Sequence, residues 1–162
     1  MKIPLRNSAL RSKRWLFGLA LPLLALSIPV FAELGGDVTT VQNDQARMKG
    51  TLKVTEAQAY TIHEITSPEG SIVKEFVSPE GKVFAVSWKA HFTPDLQQLL
   101  GTYFTQFSQA VQGEERTGPG RRPLNIQEPG LVVQTAGHMR SYSGRAYVPE
   151  MIPQGVRAEV IQ

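Results

Sequence analysis

The chain contains no cysteine. Disulfides, thiol nucleophiles and thiolate metal sites are therefore excluded, although an oxidising compartment would permit the first of them. Histidine is nearly as scarce. His63, His91 and His138 stand far apart, with no His-x-His or His-Glu-x-x-His spacing among them. His63-Glu64-Ile65-Thr66 opens the second pattern but fails at its last position, within a strand-like segment instead of a helix. A metal site built by the protein is not expected, and no cofactor is implied.

Acidic residues are missing from the first 32 positions, where Lys2, Arg6, Arg11, Lys13 and Arg14 make a basic start. An apolar run from Trp15 to Phe31 follows, and Val30-Phe31-Ala32 offers small residues to a signal peptidase. This is the order of a secretory leader, with cleavage expected between Ala32 and Glu33. A membrane anchor needs about 20 apolar residues; this run falls short and is broken by Pro22 and Pro29. No cysteine marks a lipoprotein, and Ser12-Lys13-Arg14-Trp15-Leu16 lacks the paired arginines of a twin-arginine leader. The expected location is periplasmic or secreted, with membrane contact only through the leader before it is cleaved.

Removing the leader reverses the charge. Of 17 Lys+Arg and 14 Asp+Glu, five cations and no anions belong to residues 1–32, so the remaining 130 residues carry a formal −2. The basic balance of the whole chain is a property of the leader. Nucleic acid is not an expected partner, because phosphate neutralisation needs a basic face. The length that remains suits one α+β domain over residues 33–162.

Asp37 suits a helix cap, and Val38 to Lys49 can form a short helix ending at Gly50. Ser67-Pro68-Glu69-Gly70 then recurs eleven residues later as Ser78-Pro79-Glu80-Gly81. Proline second and glycine fourth suit type I turns. Around these turns, residues 60–66, 71–77 and 82–88 are rich in β-branched and aromatic side chains, which predicts a three-stranded antiparallel meander. Thr93 as cap, Pro94 and Asp95 open the next helix. Leu96, Leu99, Leu100, Tyr103, Phe104, Phe107 and Val111 form one apolar stripe along residues 94–111, opposite a row that includes Gln97, Gln98 and Gln106. A membrane-surface helix would carry cations on that row, so the stripe is expected to cover the sheet. Gly101 inside it suggests close packing. Residues 112–123 read as an exposed loop. Residues 131–134 and 138–147 read as a C-terminal hairpin turning near Ala136-Gly137. The prolines at 149 and 153 suggest a tail extended over the surface. The expectation is a sheet of about five strands, a meander plus a hairpin, covered by one amphipathic helix.

Two short motifs fail on context. Ser71-Ile72-Val73-Lys74 has the Ser-x-x-Lys form of penicillin-binding enzymes, but it lies on a strand that sends the two side chains to opposite faces. Gly118-Pro119-Gly120-Arg121-Arg122-Pro123 resembles a phosphate loop, yet its prolines remove amide donors and no Lys-Ser/Thr follows. The stretch His138-Met139-Arg140-Ser141-Tyr142-Ser143-Gly144-Arg145-Ala146-Tyr147 is richer. As one strand it would align His138, Arg140 and Tyr142 on one face and Met139, Ser141, Ser143, Arg145 and Tyr147 on the other. That row can receive an anion through Arg140, and it is equally what a solvated sheet face looks like. Gly144 marks a bulge or a close backbone approach.

Three separated segments resemble one family. They are 75-EFVSPEGKVFAVSW-88, Pro94-Asp95-Leu96 with 99-LLGTYF-104, and 137-GHMR-140 with 143-SGRAY-147. Together they resemble the exported bacterial proteins known as domain of unknown function 2844. The resemblance implies export and implies no activity. It draws attention to His138, Arg140, Gly144 and Arg145 without giving any of them a role.

The leading functional expectation is a non-enzymatic binding protein of the cell envelope. Its surface would include His138, Arg140, Tyr142 and Arg145, and its partner would be an envelope protein or a small anionic ligand. No catalytic residue is assigned. The alternatives are a small exported enzyme using His138 with Arg140 or Arg145, and, by analogy of shape alone, a secreted protease inhibitor.

Overall fold

The computed structural model describes residues 33–113 and 123–162. The leader expected over residues 1–32 and residues 114–122 of the expected loop, including Arg121 and Arg122, lie outside the described residues. Among those described, no helix is long and apolar enough to cross a membrane.

A 3-10 turn, Val38–Thr40, leads into α1, Val41–Met48. Asp37 caps the turn by accepting from the Thr39 amide at 3.1 Å. Left-handed Lys49 (φ 49°) ends the helix, one residue before the expected Gly50. Four strands follow: β1 (Thr51–Glu56), β2 (Thr61–Thr66), β3 (Ile72–Val77) and β4 (Val83–Ala90). The twin turns behave alike. Gly70 donates to the Ser67 carbonyl and Gly81 to the Ser78 carbonyl, both at 2.9 Å, and each glycine has positive φ. A type I turn closed by a left-handed residue is a standard hairpin link.

The α+β class holds, but the sheet has seven strands, not about five. After the helical segment come β5 (Leu124–Glu128), β6 (Leu131–His138) and β7 (Ser141–Tyr147). The antiparallel order is β1-β2-β3-β4-β7-β6-β5, with β7 joining the meander at β4. The strands missed by pattern are the two edges. Most residues of β1 are exposed, and Ile126 alone is buried in β5. Hydrophobic alternation is a record of burial, and an edge strand with little burial leaves little record.

The long helix is also broken. α2 spans Leu96–Leu100, a 3-10 turn spans Gly101–Tyr103, and α3 spans Phe104–Gly113. Gly101 takes φ 52°, a region that favours glycine, and Glu33 lies where its Cβ would be. The cap is Asp95, whose carboxylate accepts from the Gln98 amide at 3.2 Å, in place of Thr93. The apolar stripe still does what its spacing predicts. Leu99, Leu100 and Phe107 pack with Val86, Trp88, Ala146, Val133 and Ile126 on one face of the sheet, and Leu34 joins them.

The opposite face is covered too, which corrects the expected surface tail. A bulge between Phe76 and Val77 leaves Phe84 as an extra residue in β4. Phe84 and its neighbour Ala85 thus join Phe76 on that face. Tyr60, Phe76 and Phe84 meet as an aromatic trio with centroids 6.0–6.2 Å apart. Residues after β7 fold over them through 3-10 turns at Pro149–Met151 and Ala158–Val160, and Ile161 is 0% exposed. Six consecutive residues of β4, Val83 to Trp88, are buried for this reason.

Candidate functional site

The stretch from His138 to Tyr147 is not one strand. His138 pairs with Ser141, so Met139 and Arg140 form the two-residue tip of the β6–β7 hairpin, and the turn expected at Ala136-Gly137 lies three residues further on. Arg140 has φ 63°, uncommon for a residue with a side chain. The row of His138, Arg140 and Tyr142 therefore does not exist as a strand face. His138, Met139 and Arg140 are exposed at the tip, while Tyr142 is half-buried on β7.

Arg145 belongs elsewhere. On β7 it faces the C-terminal cover, where its Nε donates to Oε1 of Gln134 at 2.7 Å. Its Nη1 donates to the main-chain oxygens of Ala158 at 3.0 Å and Ile161 at 3.3 Å. It is the centre of a polar row crossing the sheet through Lys53, Glu64, Lys74, Ser87, Arg145, Gln134 and Asn125. Lys74 extends the same function by donating to the main-chain oxygen of Gln162 at 3.0 Å. The Arg145 guanidinium, expected on a binding surface, instead holds the tail.

Gly144 is a close approach, one of the two roles its position allows. A Cβ there would run into the Trp88 indole and lie 2.7 Å from the Gln134 carbonyl oxygen. Gly144→Ala is expected to cost about 1–3 kcal/mol or more through overpacking, read as a lower urea midpoint.

The tip has a neighbour. The β4–β7 ladder ends with Ala90 opposite Tyr142, which puts Phe92, two residues beyond Ala90, at the same pole as Arg140, two residues before Tyr142. Met139 is 86% exposed and Phe92 72% exposed. His91, His138, Arg140 and Lys89 are also exposed there. His138 has neither a salt bridge nor a hydrogen bond to a carboxylate among the described residues, so the enzyme alternative does not gain the acid–histidine contact it needs. At the opposite pole a shallow pocket of ≈ 250 Å³ opens beside Tyr60, Thr61 and Ser78.

A second polar constellation lies inside. Alternation along β3 sends Val73, Glu75 and Val77 to the helix-covered face, and α1 sets Asp44 over Glu75. Each of the two acids is 1% exposed. Gln98, on the helix row read as solvent-facing, instead donates through its side-chain amide to Oδ1 of Asp44 at 2.6 Å. Among the described residues, neither Glu75 oxygen nor Oδ2 of Asp44 has any other partner. Two carboxylates are acceptors only; one proton gives the pair a donor. Burial, then the adjacent Asp44 charge, pushes Glu75 up to about 9. Burial pushes Asp44 up to about 6, against the amide of Gln98 and the charge of Arg47. At neutral pH Glu75 is the protonated partner and Asp44 the carboxylate.

His63 lies opposite Glu75 across the β2–β3 ladder. Its Nε2 lies 3.2 Å from the Thr61 hydroxyl, its buried Nδ1 has no partner among the described residues, and burial lowers its pKa. Motif matching overlooks this cluster, because its three members come from distant segments. The signal was an acid at an inward position, Val73-x-Glu75-x-Val77. Among the described residues, no three His, Asp or Glu side chains are grouped to hold a metal.

Over residues 30–161 the chain matches the model of a family described as Protein of unknown function (DUF2844), and it belongs to that family. No curated protein and no solved structure matches it.

Proposed function

We propose that this chain is an exported, non-enzymatic binding protein of the cell envelope that grips a protein partner through the pole formed by Phe92 and the 138–140 tip. The carrying observation is the near-complete exposure of Met139 beside an exposed Arg140 on a tight hairpin, with Phe92 exposed at the same pole. Aromatic residues, methionine and arginine are the types enriched in interface cores. Lys89 and Arg140 bias the pole toward a partner with an acidic rim around an apolar seat. Export rests on the leader pattern of residues 1–32. Arg145, tied to the tail, is not part of the surface, and Tyr142 is at most its floor.

Native mass spectrometry of the protein recovered gently from the envelope fraction tests this. A protein complex is expected that survives in the wild type and is lost in both Phe92→Ser/Met139→Ser and Arg140→Glu. Both variants should keep their urea midpoints within about 0.5 kcal/mol of stability, because exposed sites contribute little. A bare monomer in the wild type, or a complex indifferent to both changes, contradicts the proposal. A small anion lost with Arg140→Glu alone would replace the protein partner with a ligand.

A further inference from the structure

We propose that α1 is a flap latched by the single proton that Asp44 and Glu75 share, and that loss of this proton lifts α1 and uncovers the His63–Glu75 side of the sheet. This goes beyond the binding pole, which lies elsewhere on the molecule. Little seats the helix. Among its eight residues only Val41 and Asp44 are buried, and its outer face is exposed. An eight-residue helix has little stability of its own, so leaving the sheet means melting.

Its two ends are fixed. On one side Val83 donates to the Gly36 carbonyl at 3.0 Å and Val38 to the Gly81 carbonyl at 2.9 Å. On the other, left-handed Lys49 and Gly50 lead directly into β1. Motion is thereby confined to the segment between these anchors.

The groups facing the pair come from α1 and α2 and from the strands on either side of Glu75. α1 contributes Asp44 and, acting on it by charge, Arg47. β3 contributes Glu75, and α2 contributes the uncharged amide of Gln98. β2 contributes His63, which burial keeps neutral. The next strand places Val86 opposite Glu75. Among the described residues, no cation forms a salt bridge with Glu75. Closed, the pair holds one proton that the opened, hydrated carboxyl releases above about pH 4.5. Opening therefore becomes about tenfold more favourable per pH unit until the closed pair itself ionises near pH 9.

Trypsin reads the motion, because Arg47 and Lys49 are cleavage sites on the flap and Lys89 is one inside the sheet. The full-chain protein is digested at pH 7, 8 and 9, and each rate is divided by that of Glu75→Gln, which cancels the protease's own pH profile. Cutting after Arg47 and Lys49 is expected to rise about hundredfold between pH 7 and 9 relative to the variant and to precede cutting after Lys89. A constant ratio overturns the latch. Simultaneous cutting at Lys89 overturns the flap and leaves only global unfolding. Should Glu75→Gln fail to fold, Glu75→Met supplies the uncharged reference with the same expected outcome.

Discussion

Glu75→Gln is expected to stabilise the protein, and to do so far more at pH 8 than at pH 5. The wild-type fold must keep a proton on Glu75 that the unfolded chain sheds above about 4.5, because burial and Asp44 push the folded group up to about 9. The sign follows directly. The folded state binds the extra proton, so this contribution is complete below pH 4.5 and is lost as pH rises toward 9. The slope approaches 1.4 kcal/mol per pH unit, giving roughly 4 kcal/mol as the upper bound over the three units from pH 5 to 8. Asp44, pushed up to about 6, adds a similar dependence confined to lower pH. Glutamine has nearly the shape of the protonated acid and an amide that can donate to Asp44, with no proton to lose. Urea midpoints from pH 5 to 9 should fall steeply for the wild type and stay nearly flat for the variant. Parallel curves would mean that Glu75 is ionised in the fold.

Arg145→Ala is expected to release the C-terminal cover. Three hydrogen bonds from a charged donor are lost, two of them to main-chain oxygens of Ala158 and Ile161. Bonds from charged groups contribute about 1.5–3 kcal/mol each when no water replaces the donor. The half-buried position admits some water, so a loss of roughly 2–4 kcal/mol is expected. Ile161 would leave its seat over Phe76 and Phe84, and amides of residues 156–162 would exchange with solvent orders of magnitude faster. Arg145→Lys should recover little, because an ammonium lacks the planar fork that reaches two carbonyls and Gln134 together. An unchanged exchange pattern would return Arg145 to the list of surface residues.

These two positions mark where reading the sequence succeeds and where it stops. Local chemistry was legible. The twin Ser-Pro-Glu-Gly turns, the meander between them, Asp37 as cap and the apolar stripe from Leu96 to Phe107 are all where spacing puts them. Failures share a cause: they depend on what covers a segment. The edges β1 and β5 bury too little to carry a pattern. The run from Val83 to Trp88 carried the opposite signal, continuous burial, which implies cover on both faces; the prolines of the tail concealed that residues 149–162 supply it. Gly101 broke the helix because its backbone is left-handed, a property its neighbours in sequence do not announce. The hairpin turned at Met139-Arg140 without the glycine that usually marks such a tip.

The candidate site divides along the same line. His138 and Arg140 were placed on the surface and are exposed, whereas Arg145 was absorbed by a tail whose fold could not be anticipated. The inner cluster was half visible. An acid between Val73 and Val77 on an alternating strand is an inward carboxyl, but its partner Asp44 lies on another element, 31 positions earlier. Only the packing of α1 across β3 brings them together.

Site-specific photo-crosslinking from position 139 in living cells probes the binding pole itself. A crosslinker there should form one saturable protein adduct in the envelope. Arg140→Glu should reduce it at least tenfold, while Lys53→Glu at the far edge of the sheet leaves it unchanged. An equally strong adduct from position 80, at the opposite pole, or one insensitive to charge reversal at Arg140, would contradict the account.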